Sequence, residues 1–90
     1  MKRYYVIVEG RVQGVGFRYF CMRNAKELGL TGTVRNMDNG MVEIYIQGDE
    51  YRIQQFLEII KKGDYWIRVD EITLKEVSLI KNEKTFSTIY

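Results

Sequence analysis

Apolar positions along this chain switch between two periods, and the switches divide it into successive elements. Lys2 to Glu9 carries the run Tyr4-Tyr5-Val6-Ile7-Val8 ahead of Gly10, which is strand composition closed by a breaker. Phe17, Phe20, Cys21, Ala25 and Leu28 then recur at steps of three, four and their sums. That spacing predicts an amphipathic helix, with Gly29 as its C-terminal cap. Thr31 to Met37 and Met41 to Gln47 are β-rich and are joined by Asp38-Asn39-Gly40, whose Asn-Gly pair favours the positive dihedrals of a tight hairpin. In the second of these strands Val42, Ile44 and Ile46 alternate with Glu43, Tyr45 and Gln47, so one face is buried.

Asp49 is placed to cap a second helix whose stripe is Ile53, Phe56, Leu57 and Ile60, and Lys61, Lys62 and Gly63 end it. Ile67 to Leu79 reads as a further strand with Val69, Ile72, Leu74 and Val77 as packing residues, and Thr85 to Tyr90 as a short strand at an edge. The order β-α-β-β-α-β predicts an α+β, ferredoxin-like sandwich. Two helices pack on one face of an antiparallel sheet of four strands, plus a short C-terminal edge strand, with the first and third strands central.

Composition narrows the chemistry. Ninety residues at 46% hydrophobic content suffice for one domain, residues 1–90, with no repeat, no proline and no linker-like tract. A net charge of +2, not gathered into a basic run, does not argue for a polyanion partner. The start lacks the apolar core of a signal peptide and no stretch approaches a membrane span, so the expected location is cytoplasmic. The lone Cys21, on the apolar stripe, reads as a buried small hydrophobe. Histidine is absent, which removes the usual base near neutral pH and the commonest zinc ligand, so histidine triads and zinc hydrolase sites are excluded.

The informative stretch is Gly10-Arg11-Val12-Gln13-Gly14-Val15-Gly16-Phe17-Arg18, running from the first strand into the first turn of the first helix. Its three glycines free the backbone to curve until successive N–H groups share one concavity, beside the unpaired donors of a helix N-terminus. Arg18 in that first turn opposes the helix dipole by roughly 0.3–1 kcal/mol unless an anion lies between them. Its planar fork can hold two phosphoryl oxygens at once. Two readings stay open at this level: an anion site, or an ordinary glycine-rich turn followed by a solvated arginine. P-loop and dinucleotide fingerprints both fail, the first for want of Gly-Lys-Ser/Thr and the second for want of a third glycine.

That segment, with Gly32-Thr33-Val34-Arg35-Asn36 after the helix, resembles the two signature segments of the acylphosphatase family, and the similarity covers essentially the whole chain. The resemblance implies hydrolysis of a small-molecule acyl phosphate by a monomer, with inorganic phosphate as product and competitor and with no cofactor, metal, nucleic acid or membrane. It implies that Arg18 binds the phosphoryl group and Asn36 orients the water. The backbone amides of Gln13, Gly14, Val15, Gly16, Phe17 and Arg18 would form the phosphate-binding loop. Two departures from the family pattern are Thr33, where tryptophan is frequent, and Lys62-Gly63-Asp64-Tyr65-Trp66, where a proline-bearing segment is usual.

Without the resemblance, Asn36 also fits a residue whose side chain bonds the hairpin turn. Arg11, Arg23 and Arg35 read as solvated or fold-supporting charges, and Asp49-Glu50 and Asp70-Glu71 as capping or solvated pairs. An RNA-binding module shares the element order but needs an aromatic run on the third strand, which Met41 to Gln47 lacks. A non-catalytic ligand-binding domain of the same architecture is the other alternative, because fold alone does not fix function.

Overall fold

The computed structural model describes residues 1–90. Its elements are β1 (Lys2–Arg11), α1 (Phe17–Glu27), β2 (Thr31–Asn36), β3 (Val42–Gly48), α2 (Glu50–Lys62), β4 (Arg68–Val77) and β5 (Phe86–Thr88). The sheet order is β4-β1-β3-β2-β5, which puts β1 and β3 inside as the element order requires. The first four strands pair antiparallel, whereas β5 runs parallel to β2. The sheet is therefore mixed. β4 ends where β1 and β2 begin, so a chain crossing there to the far edge must enter β5 in the direction of β2.

Side-chain alternation sends Val6, Val8, Val34, Val42, Ile44 and Ile46 to the helix-covered face, where all are fully buried. Against them α2 sets Ile53, Phe56, Leu57 and Ile60, and α1 sets Phe17, Phe20, Cys21 and Ala25. Asp49 caps α2 by accepting from the Arg52 N–H at 3.3 Å, and Gly63 closes it at φ 67°. Each fully buried α2 side chain contributes about 1.5–3 kcal/mol, so truncating Phe56 to alanine should cost about 3–5 kcal/mol.

Three expectations need correction. Leu74 is 43% exposed, because β4 is an edge strand whose inner face α2 only partly overhangs. Asn39 keeps a negative φ and only Gly40 of the hairpin loop is left-handed, at φ 91°. The loop is thus a type I-like turn closed by Gly40, with Gly40 N–H donating to the Met37 carbonyl at 3.2 Å and Met37 N–H to the Met41 carbonyl at 2.9 Å. Gln47, expected on the solvent face, is buried. The segment between β4 and β5 crosses the sheet there, and Gln47 bonds both the N–H and the carbonyl of Ile80 at 2.9 Å.

The segment after α2 is fixed without proline. Asp64 Oδ1 accepts from the N–H groups of Trp66 at 2.8 Å and Ile67 at 2.9 Å, and so folds its own backbone into a turn. Thr33 lies on the face away from the helices, paired with Tyr45 and Ser87.

Candidate active site

At one end of the sheet three strands that run in the same direction finish together: β1, β2 and β5. The loop after β1 turns there into α1. Gly14 at φ 74° and Gly16 at φ 81° alternate with Val15, whose φ is negative, and this alternation curls successive N–H groups toward one side. Nothing lies within 4 Å of where a Cβ would sit on either glycine, so this surface of the loop is open and the demand is for the left-handed backbone itself.

Gly16 is also the N-cap of α1 and offers no side-chain cap. The first bond of that turn runs from Phe20 N–H to the Gly16 carbonyl at 3.0 Å, and no N–H from Gln13 to Tyr19 donates to another backbone group. The donors a helix normally satisfies with a capping side chain are left for a guest. The loop is fastened by Gln13, whose Nε2 donates to the carbonyls of Met37 and Met41, both at 2.8 Å. That side chain ties the loop to the β2–β3 hairpin, next to Asn36.

The cavity so formed has a volume of about 250 Å³. Gly14, Gly16, Phe17, Arg18 and Asn36 all line it, which brings together residues 22 or fewer positions apart from two separate sequence segments. Gln13 and Val15 do not line it: Gln13 acts through its side chain on the hairpin, and Val15 packs against the core. The arithmetic of alternation explains Asn36. Val34 points to the helix face, so Asn36, two residues on, points the same way at the strand's end.

Arg18 belongs to none of the chain's ion pairs. Its guanidinium lies 5.0 Å from the centre of the Tyr90 ring, within cation–π range. Asn36 Oδ1 is buried and accepts no hydrogen bond, the sole buried side-chain polar atom in that condition. A buried acceptor without a partner costs about 1–3 kcal/mol, so an O–H or N–H donor brought into the cavity would be held there. Tyr90 and Thr88 also line the cavity and were not legible in the sequence, because only the parallel pairing of β5 with β2 brings them over the loop.

None of the other candidates, Arg11, Cys21, Arg23 and Arg35, lines the cavity. Arg35 forks onto Glu43 at 3.1 and 3.3 Å, and this bond holds the Glu43 carboxyl below its ordinary pKa, against the opposing effect of burial and with help from the Tyr5 hydroxyl. Arg11 is exposed at the end of β1. Cys21 is fully buried, and burial pushes its thiol far above the usual range, so it is no nucleophile. Nowhere do three His, Cys, Asp or Glu side chains converge.

Similarity to known proteins agrees with the geometry. The family model for acylphosphatase matches residues 4–88. The chain is 48% identical over 90 residues to an acylphosphatase of Clostridium beijerinckii, covering 100% of both chains. It is 46% identical over 90 residues to one of Geobacillus kaustophilus, covering 100% of this chain and 96% of that one. The crystal structure of the acylphosphatase from Bacillus subtilis superposes with a TM-score of 0.94 at 42% identity, over 100% of both chains. With a family model across nearly the whole length, full-length relatives and a matching fold, the chain belongs to the acylphosphatase family.

Proposed function

We propose that this chain hydrolyses acyl phosphates to a carboxylate and inorganic phosphate by direct attack of water, with Arg18 and the loop amides holding the phosphoryl group and Asn36 holding the water. The observation that carries the mechanism is the buried, partnerless Asn36 Oδ1 sharing one cavity with Arg18 and a row of unpaired amides. Donors and a cation on one side, with a single acceptor on the other, suit a phosphoryl dianion and the water that attacks it.

The reaction needs little more. The departing carboxylate is the base of an acid with pKa about 4–5, so no general acid is required. The water oxygen bonds to phosphorus as the bond from phosphorus to the carboxyl oxygen breaks, and that electron pair leaves with the carboxylate. A phosphoryl oxygen takes the water's proton. Because the transition state is loose, positioning and charge stabilisation outweigh base catalysis, which is the work that Arg18, the amides and Asn36 are placed to do.

On this reading the enzyme uses no metal or cofactor and acts as a monomer on a free small molecule in the cytoplasm. Nucleic acid has no part in it. Tyr5 and Tyr45, the aromatics of the central strands on the face away from the helices, are engaged within the chain, Tyr5 by Glu43 at 2.8 Å and Tyr45 by the guanidinium of Arg3 at 5.1 Å. The test is steady-state hydrolysis of acetyl phosphate with a chelator present, with inorganic phosphate added as inhibitor. Turnover unaffected by chelator, with competitive inhibition by phosphate, is the expected result. Loss of activity to the chelator, or non-competitive inhibition, would defeat the mechanism.

A further inference from the structure

Beyond the phosphate cavity, a groove of about 610 Å³ runs between α1 and the strand-end segment leading into β5. Tyr19 lines both spaces, so the groove adjoins the site at that side chain. Tyr19, Met22, Arg23 and Lys26 recur at helical steps along one face of α1, and Lys84 and Phe86 stand on the opposite wall. Met22 and Phe86 give the groove an apolar character. Arg23, Lys26 and Lys84 bring three positive charges and no residue lining the groove is acidic. None of the three belongs to an ion pair, although the chain has twelve carboxylate side chains to place.

With three cations and no acid among its lining, the groove presents a positive potential suited to an anion. We propose that this groove is the acyl subsite, and that it selects acyl phosphates whose acyl group has an apolar middle and a distal anionic group. The proposal rests on the acylphosphatase reading of the neighbouring cavity. Its length requirement follows from the helix. Arg23 and Lys26 stand five and eight residues beyond Arg18, roughly 7–12 Å along the axis at about 1.5 Å per residue. An extended acyl chain advancing about 1.3 Å per bond spans that with roughly six to eight carbons. The phosphoryl end would sit on Arg18, the methylenes on Met22 and Phe86, and the far anion among the three cations.

The test is kcat/KM for monophosphates of butanedioic, hexanedioic and octanedioic acids beside butanoyl, hexanoyl and octanoyl phosphates, with acetyl phosphate as reference. At the two longer lengths the charged member should be favoured over the uncharged one by about tenfold at low salt, mostly through KM, and the advantage should shrink as salt is raised. The triple variant Arg23→Gln, Lys26→Gln, Lys84→Gln changes only exposed side chains. It should erase that advantage and leave acetyl phosphate turnover unchanged. Equal rates for charged and uncharged chains, or a preference that survives in the triple variant, would overturn the subsite. Failure of the wild-type protein to hydrolyse acetyl phosphate would instead refute the underlying activity.

Discussion

Gln47 and Asn36 are amides on adjacent strands of one sheet, and their surroundings differ completely. Gln47 Oε1 accepts from Arg3 at 3.1 Å and from Ile80 N–H at 2.9 Å, while its Nε2 donates to the Ile80 carbonyl. Arg3 is 3% exposed and also donates to Glu83 at 2.8 Å, which in turn accepts from Thr31 at 2.8 Å. No buried side-chain polar atom at that end lacks a partner, and the result is a seam that holds the β4–β5 crossing in place. At the opposite end Arg18 has no carboxylate, the loop amides have no acceptors and Asn36 Oδ1 has no donor. The same residue types therefore build structure where they are satisfied and, on the proposed function, a receptor for an anion and a water where they are not.

Substituting the arginine at each end separates the two most strongly. Arg18→Lys keeps the charge but loses the fork. It should lower kcat/KM by at least the ~10²–10³ associated with one oxyanion donor, with an unchanged circular dichroism spectrum. An Arg18→Lys enzyme with most of the wild-type rate would show that the open end does not depend on its arginine. Arg3→Ala should do the opposite. Removing the buried arginine leaves the partly buried Glu83 without its partner and should lower stability by about 2–3 kcal/mol in denaturant titration, while the folded fraction keeps its kcat. Loss of kcat at unchanged stability would mean that the two ends are not separable.

Much of this division was readable in advance. The helices announce themselves through Asp49, Gly63 and their apolar stripes, and the loop through Gly14, Gly16 and Arg18, since these depend on residues near each other in sequence. What escaped depends on contacts far apart in the chain. Gln47 looks like a solvent-facing residue until the crossing segment lands on it, and Leu74 looks like core until β4 proves to be an edge. Tyr90 and Thr88 enter the cavity only through a parallel pairing that no local pattern encodes. Gln13 was legible as part of the loop, but its contribution of a side chain that clamps the hairpin was not.

The smallest effect concerns pH and again separates the two faces. Glu43 has its pKa lowered in the folded state, chiefly by Arg35, from an ordinary value of 4.5. Its contribution to stability is therefore present above about that pH and fades as pH falls through the lower, folded-state value. Glu43→Gln should flatten the acid side of a melting-temperature profile slightly. Between about pH 5 and 8 it should leave activity unaltered, in a wild-type profile that is itself nearly flat there because no histidine titrates. An unchanged acid limb in the variant would remove Glu43 from the account of acid stability.

On the proposed mechanism Asn36 orients water and does not deprotonate it, and Asn36→Asp beside Asn36→Ala separates the two roles. A carboxylate in that position would preserve or raise the rate if the site needed a base. If the amide only positions water next to a phosphoryl dianion, the added charge repels substrate. At roughly 5 Å and an effective dielectric of about 20 that repulsion is about 3 kcal/mol per unit charge before screening, or at least roughly a hundredfold in kcat/KM. The account predicts a folded aspartate variant no more active than the alanine variant at neutral pH. An aspartate variant close to the wild-type rate would contradict it.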